Sequence, residues 1–154
     1  MVNGMEIQGL RFGEGLPKIC VPLTGQGIPA LLSELQRVAA LPADLYEWRI
    51  DCFFGDPLPV LPAVTERLDG KPLLCTLRTQ QEGGQAALSP EEYEKQVTAL
   101  LSAGGFGLVD IELACGEERI SRLVSLAKRQ GIGVVISKHD FAKTPPSEEI
   151  AAAL

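Results

Sequence analysis

The one histidine of the chain, His139, lies in the polar segment Ser137–Phe141, directly after an apolar run of strand length. Histidine is the side chain that most readily exchanges a proton near neutral pH, so this place favours acid–base chemistry. A lone histidine is more often structural, and the hypothesis therefore needs a polar partner. Glu82, in a loop that continues into Gly83 and Gly84, could supply it, because a carboxylate fixes an imidazole tautomer and stabilises its cation.

Charged residues also occur inside other apolar runs. Glu47, Arg49 and Asp51 alternate along one run, so their side chains can project to one side of a strand. Arg78 ends the next run, and Asp110 and Glu112 lie in the one after it. Buried charges are costly unless they are paired or face a polar cavity, so these runs predict either a functional cavity or a structural ion-pair network. We assign Asp110 and Glu112 mainly to such a network.

The elements that position these residues alternate regularly between strand and helix. Near-continuous apolar runs predict parallel strands that are buried on both faces. The predicted strands are residues 18–23, 45–50, 72–77, 108–113 and 132–136. Helices are predicted over 28–40, 60–68, 117–130, from a capping box at Ser89 to about Gly104, and from Thr144 and Pro145 onward.

This alternation predicts an α/β protein, since strand–helix repeats of ~30 residues are βαβ units. A complete (β/α)8 TIM barrel takes ~250 residues, so the 154 residues supply a partial barrel of about five parallel βα units. We predict one domain, residues 1–154, with an N-terminal β-hairpin region at 1–17 and βα units 1 to 5 at 18–154. The chain ends within an apparent helix, which we interpret as a truncation.

Composition excludes several classes of function. The formal net charge of −6 argues against a nucleic-acid partner, and no run of 18 apolar residues predicts a membrane span. The four cysteines are widely spaced, which is unlike a metal site or a redox motif. We interpret Cys20 and Cys75, which lie in apolar runs, as buried thiols of a cytoplasmic protein.

Taken together, the charged motifs resemble those of the type I 3-dehydroquinate dehydratases. The resemblance rests on four motifs in the right order: residues 47–51 (Glu-Trp-Arg-Ile-Asp), Arg78 with Glu82-Gly83-Gly84, residues 110–113 (Asp-Ile-Glu-Leu), and residues 137–145. It implies a TIM-barrel lyase of the shikimate pathway to aromatic compounds. Such a hydro-lyase removes water from 3-dehydroquinate through a Schiff base (imine) on a lysine, without a metal or organic cofactor.

By this resemblance each motif residue has an expected role. His139 is the catalytic general acid and base, and Glu82 orients it. Glu47, Arg49 and Arg78 bind the substrate, because a polyhydroxylated ring needs fixed donors and acceptors. The partner is thus the small molecule 3-dehydroquinate, and the resemblance leaves a homodimer open.

Three features depart from the family pattern. The imine-forming lysine belongs to the strand after the His139 strand, so it is expected beyond Leu154, and the 154 residues alone are expected to be inactive. Pro22 stands where a small hydroxyl residue is common, and Lys138 where an aromatic or amide residue is common. The alternatives are a non-catalytic remnant or ligand-binding fragment of the same barrel and, less in keeping with the motifs, another imine-forming barrel enzyme such as an aldolase.

Overall fold

Five parallel strands in chain order form the main sheet of the computed structural model, which describes residues 4–153. The strands are β3 (Cys20–Leu23), β4 (Leu45–Arg49), β5 (Leu73–Thr76), β6 (Leu108–Glu112) and β7 (Gly133–Ser137). The intervening helices are α1 (Ile28–Val38), α2 (Leu61–Thr65), α3 (Pro90–Ala103) and α4 (Glu117–Arg129), and α5 (Ser147–Ala153) follows β7. Short 3-10 turns at Ile50–Cys52, Gln80–Glu82 and Leu113–Cys115 follow β4, β5 and β6.

A β-hairpin precedes the main sheet and covers one end of it. Strands β1 (Met5–Ile7) and β2 (Leu10–Phe12) pair antiparallel across a two-residue loop, in which both Gln8 and Gly9 have positive φ. Positive φ at both loop positions matches the twist of the hairpin strands. Ile7 packs with Leu45 and Leu108, so the hairpin closes the amino-terminal end of the sheet's inner face. Residues 1–3 of the predicted hairpin region and Leu154 of the predicted last helix lie outside the described residues.

The two faces of the sheet differ because side chains alternate along each strand. Tyr46 and Trp48 of β4 point outward and pack with helix residues such as Leu31 and Leu35 in the main apolar core. Glu47 and Arg49 point the other way, toward the inner face. The main core therefore lies between sheet and helices, while the inner face is apolar only at its amino-terminal end.

The helix starts show where local sequence rules hold and where they fail. The predicted capping box of α3 is confirmed, because the Ser89 hydroxyl accepts the Glu92 N–H and the Glu92 carboxylate accepts the Ser89 N–H. The predicted start of α5 at Thr144 and Pro145 is wrong, since the helix begins at Ser147. A residue before proline is disfavoured in helical geometry, so Pro146 keeps Pro145 out of the helix.

Burial of the cysteines was predicted from apolar runs, and the prediction is half right. Cys75 on the central strand β5 is buried, but Cys20 is exposed. Among the described strands, β3 pairs only with β4. No strand therefore lies along its other edge, beside Cys20. Within residues 4–153, no helix combines the length and apolar character that a membrane crossing needs.

Candidate active site

The polar residues of the inner face gather at the carboxyl ends of β4 to β7. The register of the last two strands places Asp110 beside Val135 and Glu112 beside Ser137. Arg78 follows β5 by two residues, and therefore continues the inward alternation that Leu74 and Thr76 begin. Parallel strands bring these carboxyl ends to one edge, where barrel enzymes carry their chemistry.

Arg78 is the centre of a buried charge cluster. Its Nη2 lies 2.9 Å from Asp110 Oδ2, and its Nη1 lies 3.1 Å from Glu112 Oε1. The same Nη1 lies 3.4 Å from Glu82 Oε2 and 2.9 Å from Ser137 Oγ. The four charged side chains are only 3–8% exposed. We call Arg78, Glu82, Asp110 and Glu112 the interior cluster; it joins the ends of β5 and β6, and Ser137 of β7 contacts it.

The loop after β5 is shaped so that Glu82 turns back toward Arg78. Glu112 accepts hydrogen bonds from the Thr79 N–H at 2.8 Å and from the Thr79 hydroxyl at 2.7 Å, which fixes the start of the loop. Gly83 has a φ of +82°, in the region that favours glycine. A Cβ on Gly84 would overlap the carbonyl group of Arg78. The two glycines therefore allow a tight turn that a residue with a side chain would open.

His139 contacts the interior cluster through Glu82. Its Nδ1 lies 2.9 Å from Glu82 Oε2, and its backbone N–H donates to the same oxygen at 3.2 Å. The Glu82 side chain is 5% exposed and the imidazole 38% exposed, so a buried carboxylate holds a ring that still reaches solvent. A carboxylate on Nδ1 favours the tautomer with the proton on Nδ1, which leaves Nε2 as the nitrogen available for proton transfer.

A cavity of about 490 Å³ opens beside the imidazole. Its walls are Ser137–Asp140 at the end of β7, Leu113 and Ile136, and the segment from Lys143 into α5. Of the predicted site residues, only His139 lines this cavity; Glu47, Arg49, Arg78 and Glu82 do not. Glu47 and Arg49 belong to the inner face of β4, and β5 separates β4 from β6.

Arg49 is held by Asp51 in a two-pronged ion pair. Arg49 Nε lies 2.9 Å from Oδ1 and Nη2 lies 2.8 Å from Oδ2 of Asp51. The same carboxylate accepts the backbone N–H of Arg78 at 3.3 Å and of Gln85 at 3.0 Å. Asp51 therefore ties the end of β4 to both ends of the glycine loop. The Glu47 side chain makes no hydrogen bond to another residue within residues 4–153.

Burial and hydrogen bonding move two carboxyl groups in opposite directions. Burial raises the pKa of Asp110, although the Arg78 guanidinium and the Ser137 hydroxyl act against the shift. Burial also opposes the ionised form of Asp51, but its hydrogen bonds from Arg49, Gln85 and Arg78 outweigh that effect and lower its pKa. The inner face thus keeps Asp51 ionised and makes the Asp110 charge harder to maintain.

The sequence-predicted residues fall into two groups in space. Arg78, Glu82 and His139 form one contiguous set, and Arg49 joins it through Asp51 rather than directly. Sequence reasoning placed Asp51 with Glu47 and Arg49 among the charges that must be paired or face a polar cavity, but did not name it as the partner of Arg49. Tyr93 was also missed; its hydroxyl accepts the Glu112 N–H at 3.0 Å, and no sequence pattern marks it apart from an ordinary core residue of a helix.

Comparison with known proteins gives a consistent result. The model of the type I 3-dehydroquinase family matches residues 19–154. The 3-dehydroquinate dehydratase of Enterococcus faecalis is 41% identical over 153 residues, which are 96% of this chain and 60% of that protein. The Listeria innocua 3-dehydroquinate dehydratase is 39% identical over 99% of this chain and 63% of its own length. The chain thus spans about three-fifths of the relatives it matches.

Solved structures agree with the sequence matches. The type I 3-dehydroquinate dehydratase of Clostridium difficile superposes with a TM-score of 0.90 at 32% identity, over 97% of this chain and 61% of that structure. The Enterococcus faecalis structure gives a TM-score of 0.90 at 40% identity, over 96% and 64%. The predicted α/β fold, a partial (β/α)8 barrel, is thereby confirmed. The chain belongs to the type I 3-dehydroquinase family.

Proposed function

We propose that this chain carries the acid–base half of a 3-dehydroquinate dehydratase active site, in which His139 moves the protons. The observation that carries the proposal is the 2.9 Å contact between His139 Nδ1 and the buried Glu82 carboxylate, beside an open cavity. A histidine oriented by a carboxylate is a general acid and base rather than a packing residue. Membership of the family supplies the substrate, 3-dehydroquinate.

The proposed reaction uses His139 twice. A lysine amine adds to the substrate ketone and water leaves, which gives an imine that withdraws electrons from the neighbouring carbon. His139 Nε2 takes a proton from that carbon, and the resulting cationic imidazole is stabilised by Glu82. The imidazolium then gives the proton to the departing ring hydroxyl, which leaves as water. Hydrolysis of the imine releases the unsaturated ketone, 3-dehydroshikimate. These steps require no metal or organic cofactor.

Substrate hydroxyls would be held by Glu47, Arg49 and Arg78. Glu47 has both oxygens free of hydrogen bonds within the described residues, and the Arg49 side chain is 25% exposed beside its partner Asp51. Arg78 already contacts protein oxygens through both terminal nitrogens. A guanidinium has five N–H donors, so Arg78 retains donors for a ligand on the open side of the inner face.

The imine-forming lysine is proposed to lie outside residues 1–154. A nucleophilic lysine needs a dry pocket that lowers its pKa. Lys138 and Lys143 are the lysines nearest to His139 in sequence, and both are exposed. The relatives extend well beyond the three-fifths that this chain matches, which leaves room for the lysine there.

A cytoplasmic location is proposed on the state of the cysteines. Cys20, Cys52, Cys75 and Cys115 are all free thiols. Disulfide-free cysteines are typical of reducing compartments. The homodimer stays a prediction.

The decisive experiment is a chimera. Residues 1–154 replace the matching part of the Enterococcus faecalis relative, which then supplies the rest of the barrel and the lysine. We expect the chimera to dehydrate 3-dehydroquinate and to form a mass adduct with it after borohydride reduction. His139→Ala should lower kcat by roughly 10²–10⁴-fold, because a general acid–base group contributes that much. Lys128→Ala, an exposed lysine of α4 outside the cavity, is the matched control and should leave kcat within error.

Two results would count against the proposal. A folded chimera without dehydratase activity would show that these residues do not complete the site, and would favour a non-catalytic fragment. Full activity of His139→Ala would remove its assigned role. The 154 residues alone are predicted to give neither adduct nor turnover, and turnover by them would place the lysine within this chain.

A further inference from the structure

We propose that Phe141 is a positioning residue that holds the His139 ring in line with Glu82, an inference that rests on the proposed function. Phe141 belongs to none of the roles assigned above. Its ring nevertheless contacts both halves of the histidine–glutamate pair: the imidazole on one side and the loop that carries Glu82 on the other.

The first contact is a stack with the imidazole. The ring centroids of His139 and Phe141 lie 6.2 Å apart, and the ring planes differ by only 10°. This separation falls within the range of offset-stacked aromatic pairs. An imidazole held only at Nδ1 can still tilt about that contact, and a neighbouring ring with a nearly parallel plane opposes the tilt.

The second contact is with Gly83, the residue next to Glu82. A Cβ placed on Gly83 would overlap Phe141 Cε2 and lie 2.8 Å from Cζ. The phenyl ring therefore lies directly on the glycine backbone, at a position where φ is +82° and a side chain is already disfavoured. Gly83 permits the turn that directs Glu82 toward Arg78, and its lack of a side chain leaves room for the Phe141 ring.

The backbone between the two rings is itself fixed. Asp140 Oδ1 accepts the N–H of Ala142 at 2.9 Å and of Lys143 at 3.1 Å. An aspartate that binds the backbone two and three residues further on stabilises a turn. This turn brings the Phe141 side chain back over Gly83 instead of letting it extend into solvent.

Stability alone does not account for this arrangement. Phe141 is 78% exposed, so it buries little apolar surface and is not part of either apolar core. Phe54 is 72% exposed and has no aromatic stack with a histidine. The two phenylalanines thus have similar exposure but different neighbours, and Phe54 is the matched control for Phe141.

The first test is spectroscopic and does not depend on turnover. The chain has one histidine, so its ring signals in an NMR spectrum belong to His139 alone. Phe141→Ala should remove the ring-current shift of the imidazole protons and move the ring nitrogen shifts toward the tautomer mixture of free histidine. Phe141→Tyr should restore the wild-type values, Phe141→Leu should not, and Phe54→Ala should change nothing. Gly83→Ala should resemble Phe141→Ala.

The second test uses the active chimera. Phe141→Ala should lower kcat by roughly tenfold to a hundredfold, the scale of a small misplacement of a reacting group. KM should change less, and Phe141→Tyr should recover the rate. Imidazole signals unchanged in Phe141→Ala would overturn the inference, as would a rise in KM at constant kcat, which would make Phe141 a substrate contact. An inactive chimera would count against the proposed function, while the imidazole signals would still decide the role of Phe141.

Discussion

Two of the arginine–carboxylate clusters within residues 4–153 differ mainly in exposure. The interior cluster joins strands β5 and β6, and its side chains are 3–8% exposed. The second, which we call the surface ladder, joins α3 and α4 through Arg119 and Arg122, which contact Glu91, Glu94 and Glu118. Side-chain exposure in the ladder ranges from 22% for Glu94 to 93% for Glu118.

The same arginine–carboxylate pairs are expected to contribute differently to stability when they are buried and when they are exposed. Water screens exposed pairs, which contribute little to stability. Buried charges lose their hydration, so removing one partner leaves the others with a large uncompensated cost. In the interior cluster three carboxylates surround one guanidinium, so Arg78 is the residue on which the others depend. Substitutions in the two clusters test whether burial of the charges, and not the number of ion pairs, determines their contribution to the free energy of unfolding.

The largest effect on stability is expected from Arg78→Leu. The variant leaves Glu82, Asp110 and Glu112 buried without a cation, so the free energy of unfolding should fall by about 3–5 kcal/mol. A buried carboxyl group without a cation has a higher pKa in the folded protein than in the unfolded chain. Its ionisation therefore lowers the free energy of unfolding as pH rises. The deficit should therefore be largest near neutrality, decrease as pH falls and be nearly absent below about pH 4. Urea unfolding at several pH values measures it.

Arg122→Leu is the matched control for that experiment, since it removes an arginine of the surface ladder. A loss in Arg78→Leu below about 1 kcal/mol, the range of exposed pairs, would contradict the contrast between the two clusters. A deficit that does not depend on pH would show that lost packing, and not charge, is responsible.

Asp51→Ala is expected to come second. Asp51 is fully buried at its side chain and accepts hydrogen bonds from Arg49, from the Arg78 N–H and from the Gln85 N–H. Hydrogen bonds to a charged group contribute about 1.5–3 kcal/mol, so we expect a loss near the middle of that range. The lowered pKa of Asp51 means that its contribution is present above the ordinary aspartate pKa and disappears as pH falls through the folded value.

The measurement is again urea unfolding against pH, with Asp56→Ala as control. Asp56 also accepts a backbone N–H, from Leu58, but it lies in an exposed loop. We expect the difference between wild type and Asp51→Ala to vanish at acid pH. A difference that persists there would mean that Asp51 contributes through packing rather than through its charge.

The sequence predicted the strands better than the pairing of its charges. Apolar runs and their spacing indicated all five parallel strands, although the expected burial on both faces holds for β6 and not for β3 or β7. The start of α5 was missed because two consecutive prolines offered two helix starts and only one is compatible with the backbone. Exposure of Cys20 depends on which strands lie beside β3, and such a long-range fact has no local signal. Arg49 pairs with Asp51 rather than with Glu47 because a 3-10 turn follows β4. The alternation of side chains along a strand does not predict such a turn.

Tyr93→Phe should have a smaller effect than either charge substitution. The buried Tyr93 hydroxyl accepts the Glu112 N–H at 3.0 Å and donates to the Asp110 carbonyl at 3.4 Å, so the variant leaves a buried amide without its acceptor. We expect a loss of about 1–2 kcal/mol, in the lower part of the range for a buried group left unsatisfied. Faster hydrogen exchange of the Glu112 amide would locate the effect. Tyr46→Phe is the control, since the equally buried Tyr46 hydroxyl donates to the Val38 carbonyl and is far from the interior cluster.

The smallest effect is expected from Arg122→Ala in the surface ladder. Arg122 makes two contacts with Glu94, at 2.6 and 3.0 Å, which is a geometry as good as that of Arg78. If contact geometry alone determined the loss of stability, Arg122→Ala would be as destabilising as Arg78→Leu. Because water and salt screen the pair, we instead expect the urea midpoint to stay within error, both at low salt and at 1 M salt, where charges are screened over about 3 Å. A shift at low salt that matches Tyr93→Phe, and that salt abolishes, would show that the ladder stabilises the chain and that depth alone does not separate the two clusters.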